Sequence, residues 1–438
     1  MQISSKHGSN RNLLLFLIIL MAICAIYLPF NLRNQPDKSN VQLCKDCNII
    51  VITVDALRPD YLGVYSKTPN VSNNIDNLAE KSYIFENCFA PASHTVLSVT
   101  GILTSTNGYG YSTKISLPGT LKKYNFRTSF FSANGYLSKR NFGAGFDDFY
   151  ELWEKKDNYT ADINDYSYDS KKLNADLFEW LDNHKTEKFF AYIQYIDVHS
   201  PWILNETKGI DDPERYKIAV NYLDAQIGAL MEKLDSLGLM NNTIIIITAD
   251  HGEELYDHGR RGHAATLYDE VIHVPLILYV PNTFQKKPIQ IDNLVSSLDI
   301  MPTLLQLEGI PMDKTVEGIS LLNLPSRKED DRIVYSITDH EHIMVSLRTK
   351  EFHYILTLNY SRADWAFLDT NFSHMSPSIL TEELFYLPED PKEKNNIIEK
   401  DASPSVRFRN LAINWFKSLL SKQNEYYIKT NLYSVNYS

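Results

Sequence analysis

The chain predicts an α/β/α sandwich on a mostly parallel central sheet, with a small C-terminal α+β subdomain, and three observations predict it. The stretches Asn48-Ile-Ile-Val-Ile-Thr-Val54 and Thr243-Ile-Ile-Ile-Ile-Thr248 are short, unbroken, β-branched runs, the pattern of strands buried on both faces of a parallel sheet. Further strand patterns at Arg127 to Ser132, Phe189 to Ile196 and Pro275 to Val280 are interleaved with helical ones such as Tyr216 to Leu237. That alternation implies βαβ units. Finally, the 438 residues, 44% of them hydrophobic, suffice for one large α/β core and a smaller partner.

From the N-terminus, residues 1–47 read as a signal anchor and tether. Leu13 to Phe30 is an uncharged apolar run behind Lys6 and Arg11, close to the roughly 17–25 residues that span a bilayer. The small-residue pattern Ala22-Ile23-Cys24 falls inside the run rather than after it, which favours a retained anchor over a cleaved signal. Polar Asn31 to Asn40 then serves as a tether. The expected location is a membrane-anchored body facing the extracytoplasmic side. Seven Asn-x-Ser/Thr sequons (Asn70, Asn158, Asn205, Asn241, Asn359, Asn371, Asn436) fit export, but chance alone would give nearly as many. Cys44 and Cys47 form a C-x-x-C pair; two ligands are half of what a structural zinc needs, so a disulfide is the expectation. Residues 48–328 form the main α/β domain and 329–438 the C-terminal subdomain. A net charge of -11 argues against a nucleic-acid partner.

Both β-branched runs end on metal-ligand types: Asp55 after the first, Asp250 and His251 after the second. Ligands of such sheets bind beyond the carboxyl ends of the strands. Carboxylates with an imidazole suit one divalent ion, zinc, manganese, magnesium or calcium. The run Phe189 to Ile196 brings Asp197 and His199 to the same edge.

With these residues in view, the chain resembles the sulfatase family of the alkaline phosphatase superfamily. The resemblance rests on Val54-Asp-Ala-Leu-Arg-Pro-Asp-Tyr-Leu-Gly63, Thr68-Pro-Asn70, Asp197-Val-His-Ser-Pro201, Thr248-Ala-Asp-His-Gly-Glu253 and Thr266-Leu-Tyr-Asp-Glu-Val-Ile-His-Val-Pro-Leu276. Leu298-Asp-Ile-Met-Pro-Thr303, Glu317-Gly-Ile-Ser-Leu321 and Glu383-Leu-Phe-Tyr-Leu-Pro-Glu-Asp-Pro391 continue it in order. It implies an alkaline phosphatase-like fold and metal-dependent cleavage of phosphate or sulfate esters, on a glycan or a lipid head group.

The nucleophile region departs from that pattern. Sulfatases read C/S-x-P-x-R, whose first residue becomes formylglycine, whereas Ala92-Ser-His-Thr-Val-Leu-Ser-Val-Thr-Gly-Ile-Leu-Thr-Ser105 has no such motif and puts Thr95 at the nucleophile position. A threonine there is similar to the phosphodiesterase, phosphonate monoester hydrolase and phosphoethanolamine transferase branches of the superfamily. Thr95 precedes an expected helix from Val96 to Thr104, whose amides would face an anionic ester; Ser93 and Ser98 are rival nucleophiles, and an N-capping role for Thr95 is the plain alternative.

By resemblance, Asp55, Thr95, Asp250 and His251 complete a single-metal site, and His199 and His263 handle the ester oxygens or the leaving group. Ala56 takes the place of a second aspartate. Asp197 and His258 could supply a second metal, and Asn134 could touch the metal or substrate. Arg58 with Asp60 reads as a structural ion pair, His273 as a packing residue, and Asp339-His-Glu-His342 as a solvated loop in spite of its ligand types. Two rival functions are an ordinary sulfatase acting on sulfated glycans, disfavoured by Thr95, and a pseudoenzyme that binds a glycan or lipid head group without turnover.

Overall fold

The computed structural model describes residues 44–66, 71–108, 111, 115–153, 169–200, 202, 210–281, 288–326, 332–364, 378–400 and 402–430. The apolar run Leu13 to Phe30, its tether, Thr68-Pro-Asn70 and the sequons at Asn158, Asn205, Asn371 and Asn436 lie outside them; the sequons at Asn241 and Asn359 lie at exposed positions. No helix among the described residues is long and apolar enough to cross a membrane. Cys44 and Cys47 form the expected disulfide.

The main sheet has eight strands: β1 (Asn48–Val54), β2 (Tyr83–Phe89), β3 (Arg127–Ser132), β4 (Asp148–Glu151), β5 (Phe189–Tyr195), β6 (Thr243–Ala249), then β9 (His273–Tyr279) and β10 (Ile289–Ser296), in the order β10-β2-β9-β6-β1-β5-β3-β4. The short β7 (Glu254–Leu255) and β8 (Arg261–Gly262) pair separately as a hairpin. Every residue of β1, β5 and β6 is buried, as unbroken β-branched and aromatic runs require when both faces are covered. All pairings are parallel except those of β9, which runs antiparallel to both β6 and β2. The reason is topological. Between Ala249 and His273 there is the β7–β8 hairpin and one helical turn, Asp269–Ile272, but no crossover helix to carry the chain back to the opposite edge, so the strand must return antiparallel.

Register then fixes the site. Val54 pairs with Tyr195 on one side and with Ala249 on the other, so β1, β5 and β6 end level. The Asp55 amide adds one more rung by donating to Tyr195 O at 2.8 Å. Three helices matter here: α1 (Thr95–Thr104), α2 (Ser170–His184) and α3 (Asp212–Ser236).

The C-terminal subdomain is an antiparallel meander, β11 (Val334–Thr338), β12 (Ile343–Arg348), β13 (Phe352–Leu358) and β14 (Ile379–Tyr386). Helix α4 (Ala402–Thr430) packs on it through Phe408, Ala412 and Phe416. Ala92 and Leu97, either side of Thr95, belong to this second core together with Ile337, Val345 and Leu356. Backbone bonds continue the contact: Ile337 N donates to Pro91 O at 3.0 Å and Ser93 N to Ile337 O at 3.4 Å.

A buried charge cluster ties the subdomain down. Arg348 lies 2.7 Å from Asp269 and 2.8 Å from Glu393, and His353 lies 2.7 Å from Glu393. Burial would protonate these carboxylates, but Arg348 and the neighbouring histidines hold both below the usual carboxylate range. A depressed folded-state pKa stabilises above the unfolded value and is lost as pH falls through the folded one. Acid unfolding should therefore start in the subdomain below about pH 4. Glu393→Gln should cost about 3 kcal/mol at pH 7, as breaking a buried ion pair does, and should flatten the acid limb of a urea-melt pH series.

Candidate active site and metal centre

Asp55 leaves the end of β1 fully buried. Its Oδ2 accepts a 2.6 Å bond from Asn134 Nδ2, while Oδ1 has no hydrogen-bond partner among the described residues. Asp250, at the level end of β6, accepts through Oδ1 from the amides of His251 (2.9 Å) and Ala56 (3.3 Å), and through Oδ2 from Gln194 Nε2 (3.1 Å). His251 donates Nδ1–H to Gly252 O at 2.9 Å, so the lone pair sits on Nε2. That atom faces Thr95 Oγ1 at 3.3 Å, Asp55 Oδ1 at 3.5 Å and Asp250 Oδ2 at 3.6 Å. The backbone allows this approach because residue 252 is glycine: a Cβ there would lie 2.1 Å from Glu270 O.

Thr95 is the first residue of α1, and the capping position is His94, which makes no side-chain cap bond. The Thr95 hydroxyl turns into the Asp–Asp–His cluster instead of capping the helix. Ser93 and Ser98 are both buried, and Ser98 Oγ is spent on Ala92 O at 2.9 Å.

The electrostatics of the cluster suit a cation. Burial, and then the charge of Asp55, push the Asp250 carboxyl well up. Burial, with His263 and His199 nearby, holds the His251 imidazole well below its ordinary value, hence neutral. One ligand atom from each of Asp55, Asp250 and His251 lies within 4.8 Å of the others, the one such group among the described residues. Two hard carboxylate oxygens, one of them unpartnered, and a neutral imidazole nitrogen fit a divalent ion.

His263 stacks on His251, ring centroids 4.2 Å apart, and meets His199 edge-on at 4.9 Å. Burial alone would discharge His263, but Glu253 at 3.3 Å, with Asp55 and Asp250 behind it, pushes it up to about 9. The neighbouring carboxylates thus favour its charged, proton-donating form.

Two candidates for a second metal are not brought in. Asp197 turns to the start of α2, where Oδ1 accepts from Ser170 N at 3.1 Å and Ser170 Oγ at 3.0 Å. His258 uses both ring nitrogens, on Glu270 at 2.6 Å and Glu393 O at 3.0 Å, and stacks on Tyr268. Asn134 does reach the cluster, as a donor to Asp55. The Asp339 to His342 segment is the β11–β12 turn: Asp339 is buried 3.3 Å from His94, and exposed Glu341 pairs with Arg260 at 3.1 Å. Arg58 bonds Asp60, as expected, and also Asp257; His273 stacks on Phe89. Gln194, Glu253 and His94 were missed. Gln194 left a signal, since one amide inside an otherwise apolar buried strand requires a partner.

A mostly parallel sheet whose level strand ends carry such a cluster, with a threonine at a helix start facing it, defines a metal-dependent ester hydrolase of the alkaline phosphatase type. The chain belongs to the sulfatase family: the Sulfatase family pattern matches residues 47–310, and that of the N-sulphoglucosamine sulphohydrolase C-terminal region matches residues 263–413. It is similar to an arylsulfatase of Clostridium perfringens, 24% identical over 81% of this chain and 90% of that one. It is also similar to human arylsulfatase K, 29% identical over 47% of this chain and 38% of that one.

Among solved structures it shares the fold of a putative sulfatase, yidJ, from Bacteroides fragilis (TM-score 0.69, 17% identity, 87% and 97% of the two chains). BT4656, determined with its substrate D-glucosamine-2-N,6-O-disulfate, matches at TM-score 0.64 and 16% identity over 86% and 99%. The phosphonate monoester hydrolase of Agrobacterium radiobacter matches at 0.65 and 16% over 87% and 97%. Sulfatases of this family bind a divalent metal, and Asp55, Asp250 and His251 are the residues here that fit one.

Asp250→Asn keeps the size of the side chain but removes the charge that a cation needs. Titration calorimetry with manganese or zinc on metal-stripped protein should show at least tenfold weaker binding, of the size seen on disturbing metal ligands and their supports. The urea midpoint should change little or rise, because the repulsion from Asp55 goes as well.

Proposed function

We propose that this chain cleaves phosphate mono- or diesters through Thr95 as nucleophile, with Asp55, Thr95, Asp250 and His251 around one divalent cation. The observation that carries the reading is the Thr95 hydroxyl at 3.3 Å from His251 Nε2, at the first position of α1. A cation between these residues would neutralise ester oxygens and make the hydroxyl more acidic. The Thr95 hydroxyl, so acidified, would lose its proton to solvent and rest as the alkoxide; Oγ1 then bonds to phosphorus as the bond to the leaving oxygen breaks in line. His263, whose charged form Glu253 favours, or His199 supplies the proton to that oxygen. Water or an alcohol then attacks the phospho-threonine, returns its proton to the histidine pair, and releases Thr95 as the alkoxide for the next ester. The backbone amides at the start of α1 face the charge that develops.

Sulfate-ester hydrolysis on a glycan is the second reading. It is favoured by the alignment with the clostridial arylsulfatase across most of both chains, and by the sulfated sugar named as the substrate of BT4656. Against it stands the chemistry of residue 95: a threonine oxygen cannot become the formylglycine aldehyde, whose hydrate releases sulfate by hemiacetal breakdown.

Matched aryl phosphate, aryl phosphodiester and aryl sulfate substrates separate the two. The phosphorus esters should be preferred, Thr95→Ala should lose several orders of magnitude in kcat, and Thr95→Ser should retain part of the rate. Dominant sulfate turnover, or full activity in Thr95→Ala, would overturn the assignment.

We also propose that the body is held at the extracytoplasmic face by Leu13 to Phe30, on the strength of the uncharged run behind Lys6 and Arg11 and the Cys44–Cys47 disulfide, a bond favoured in oxidising compartments. Protease added to intact cells should digest the domain beyond Cys44; complete protection would reverse the topology.

A further inference from the structure

His199 and His263 come from different parts of the fold, the first from the turn after β5, the second just beyond β8. One side chain joins them. Arg261, two residues before His263, places Nε 2.9 Å from Asp212 Oδ2 at the start of α3 and donates from Nη2 to Ser200 Oγ at 2.9 Å. Its guanidinium carbon lies 4.9 Å from the centre of the Trp202 ring. The Arg215 guanidinium lies over the same ring, also at 4.9 Å, and 3.5 Å from Asp212.

Trp202 in turn holds the segment that carries His199. It is 3% exposed, its indole Nε1 donates to Val198 O at 3.0 Å, and its amide donates to His199 O at 3.1 Å. Its φ of +54° lies in the left-handed region, costly for a bulky L residue and retained where the surroundings over-determine it. The His199 ring donates from Nδ1 to Ser200 O at 2.5 Å, so the position of residue 200 also sets the ring.

We propose that Arg261 and Trp202 are positioning residues for protonation of the leaving group, a clasp that fixes the approach of His199 to His263. The inference rests on the assignment of those two histidines as the proton-handling pair. A planar guanidinium with several donors spans Asp212, Ser200 and the indole at once, which an ammonium cannot do.

The test uses the full, metal-loaded chain and two probes, phenyl phosphate and para-nitrophenyl phosphate, or their diesters, whose leaving oxygens differ in their need for a proton. Arg261→Gln and Trp202→Ala should lower kcat on the phenyl ester by on the order of 10²-fold but on the nitrophenyl ester by no more than about threefold, with KM and metal affinity unchanged, as loss of general-acid help predicts. His199→Ala should show the same split, and Trp202→Phe should recover part of the phenyl-ester rate. Should Trp202→Ala fail to fold, Arg261→Gln and Trp202→Phe carry the test. A split in His199→Ala with equal losses on both esters in Arg261→Gln overturns the clasp alone. Equal losses in His199→Ala overturn the part of His199 in protonation, and the clasp falls with it.

Discussion

Two carboxylates, Asp55 and Asp250, are forced together where the central strands end level, and the rest of the site answers to their repulsion. With ligand atoms within 4.8 Å of one another and an effective dielectric near 20, two like charges cost about 3.5 kcal/mol. The fold meets part of that cost with neutral donors: Asn134 on Asp55, and Gln194 with two backbone amides on Asp250. Among the described residues no lysine or arginine side chain bonds either carboxylate. His251, the nearest base, is kept neutral by burial, and the positive His263 stands behind it. Such an arrangement is poor as a folding device and suited to a bound ion.

The nucleophile candidate is held by two cores at once. Residues Val99, Ile102 and Leu103 of α1 belong to the main core, whereas Ala92 and Leu97 belong to that of the C-terminal subdomain. The strand edge of β11 bonds to the Pro91–Ser93 segment, and Asp339 and Glu341 in the turn after it reach His94 and Arg260. The subdomain is therefore a wall of the site rather than an appendage, and the Arg348–Glu393–His353 cluster that anchors it has a bearing on chemistry some distance away.

Much of this was legible in the sequence where a residue's role follows from its neighbours along the chain. β3 begins and ends at the expected residues, Arg127 and Ser132, and β1, β5 and β6 lie on their apolar runs, because unbroken β-branched or aromatic stretches have few other ways to be buried. Asp55, Asp250 and His251 followed from those strand ends. What was not legible depends on contacts distant in sequence. Asp197 and His258 have the right side chains in the right neighbourhood, but the start of α2 claims one and Glu270 with Glu393 claims the other. The reversed direction of β9 was hidden because an apolar run has no polarity of its own. β2, Tyr-Ile-Phe-Glu-Asn-Cys-Phe, mixes polar and apolar residues and gives a weak strand signal.

The shared ownership of the Thr95 segment also has a consequence in time. Synthesis proceeds from the N-terminus, and domains fold as units as they emerge. β1 to β10 can assemble once residue 296 has left the ribosome, yet the wall that braces Ala92 and Leu97 is encoded from Val334 onward. The Asp–Asp–His cluster thus comes into register first, and the Thr95 hydroxyl is fixed last, once the C-terminal strands are in place.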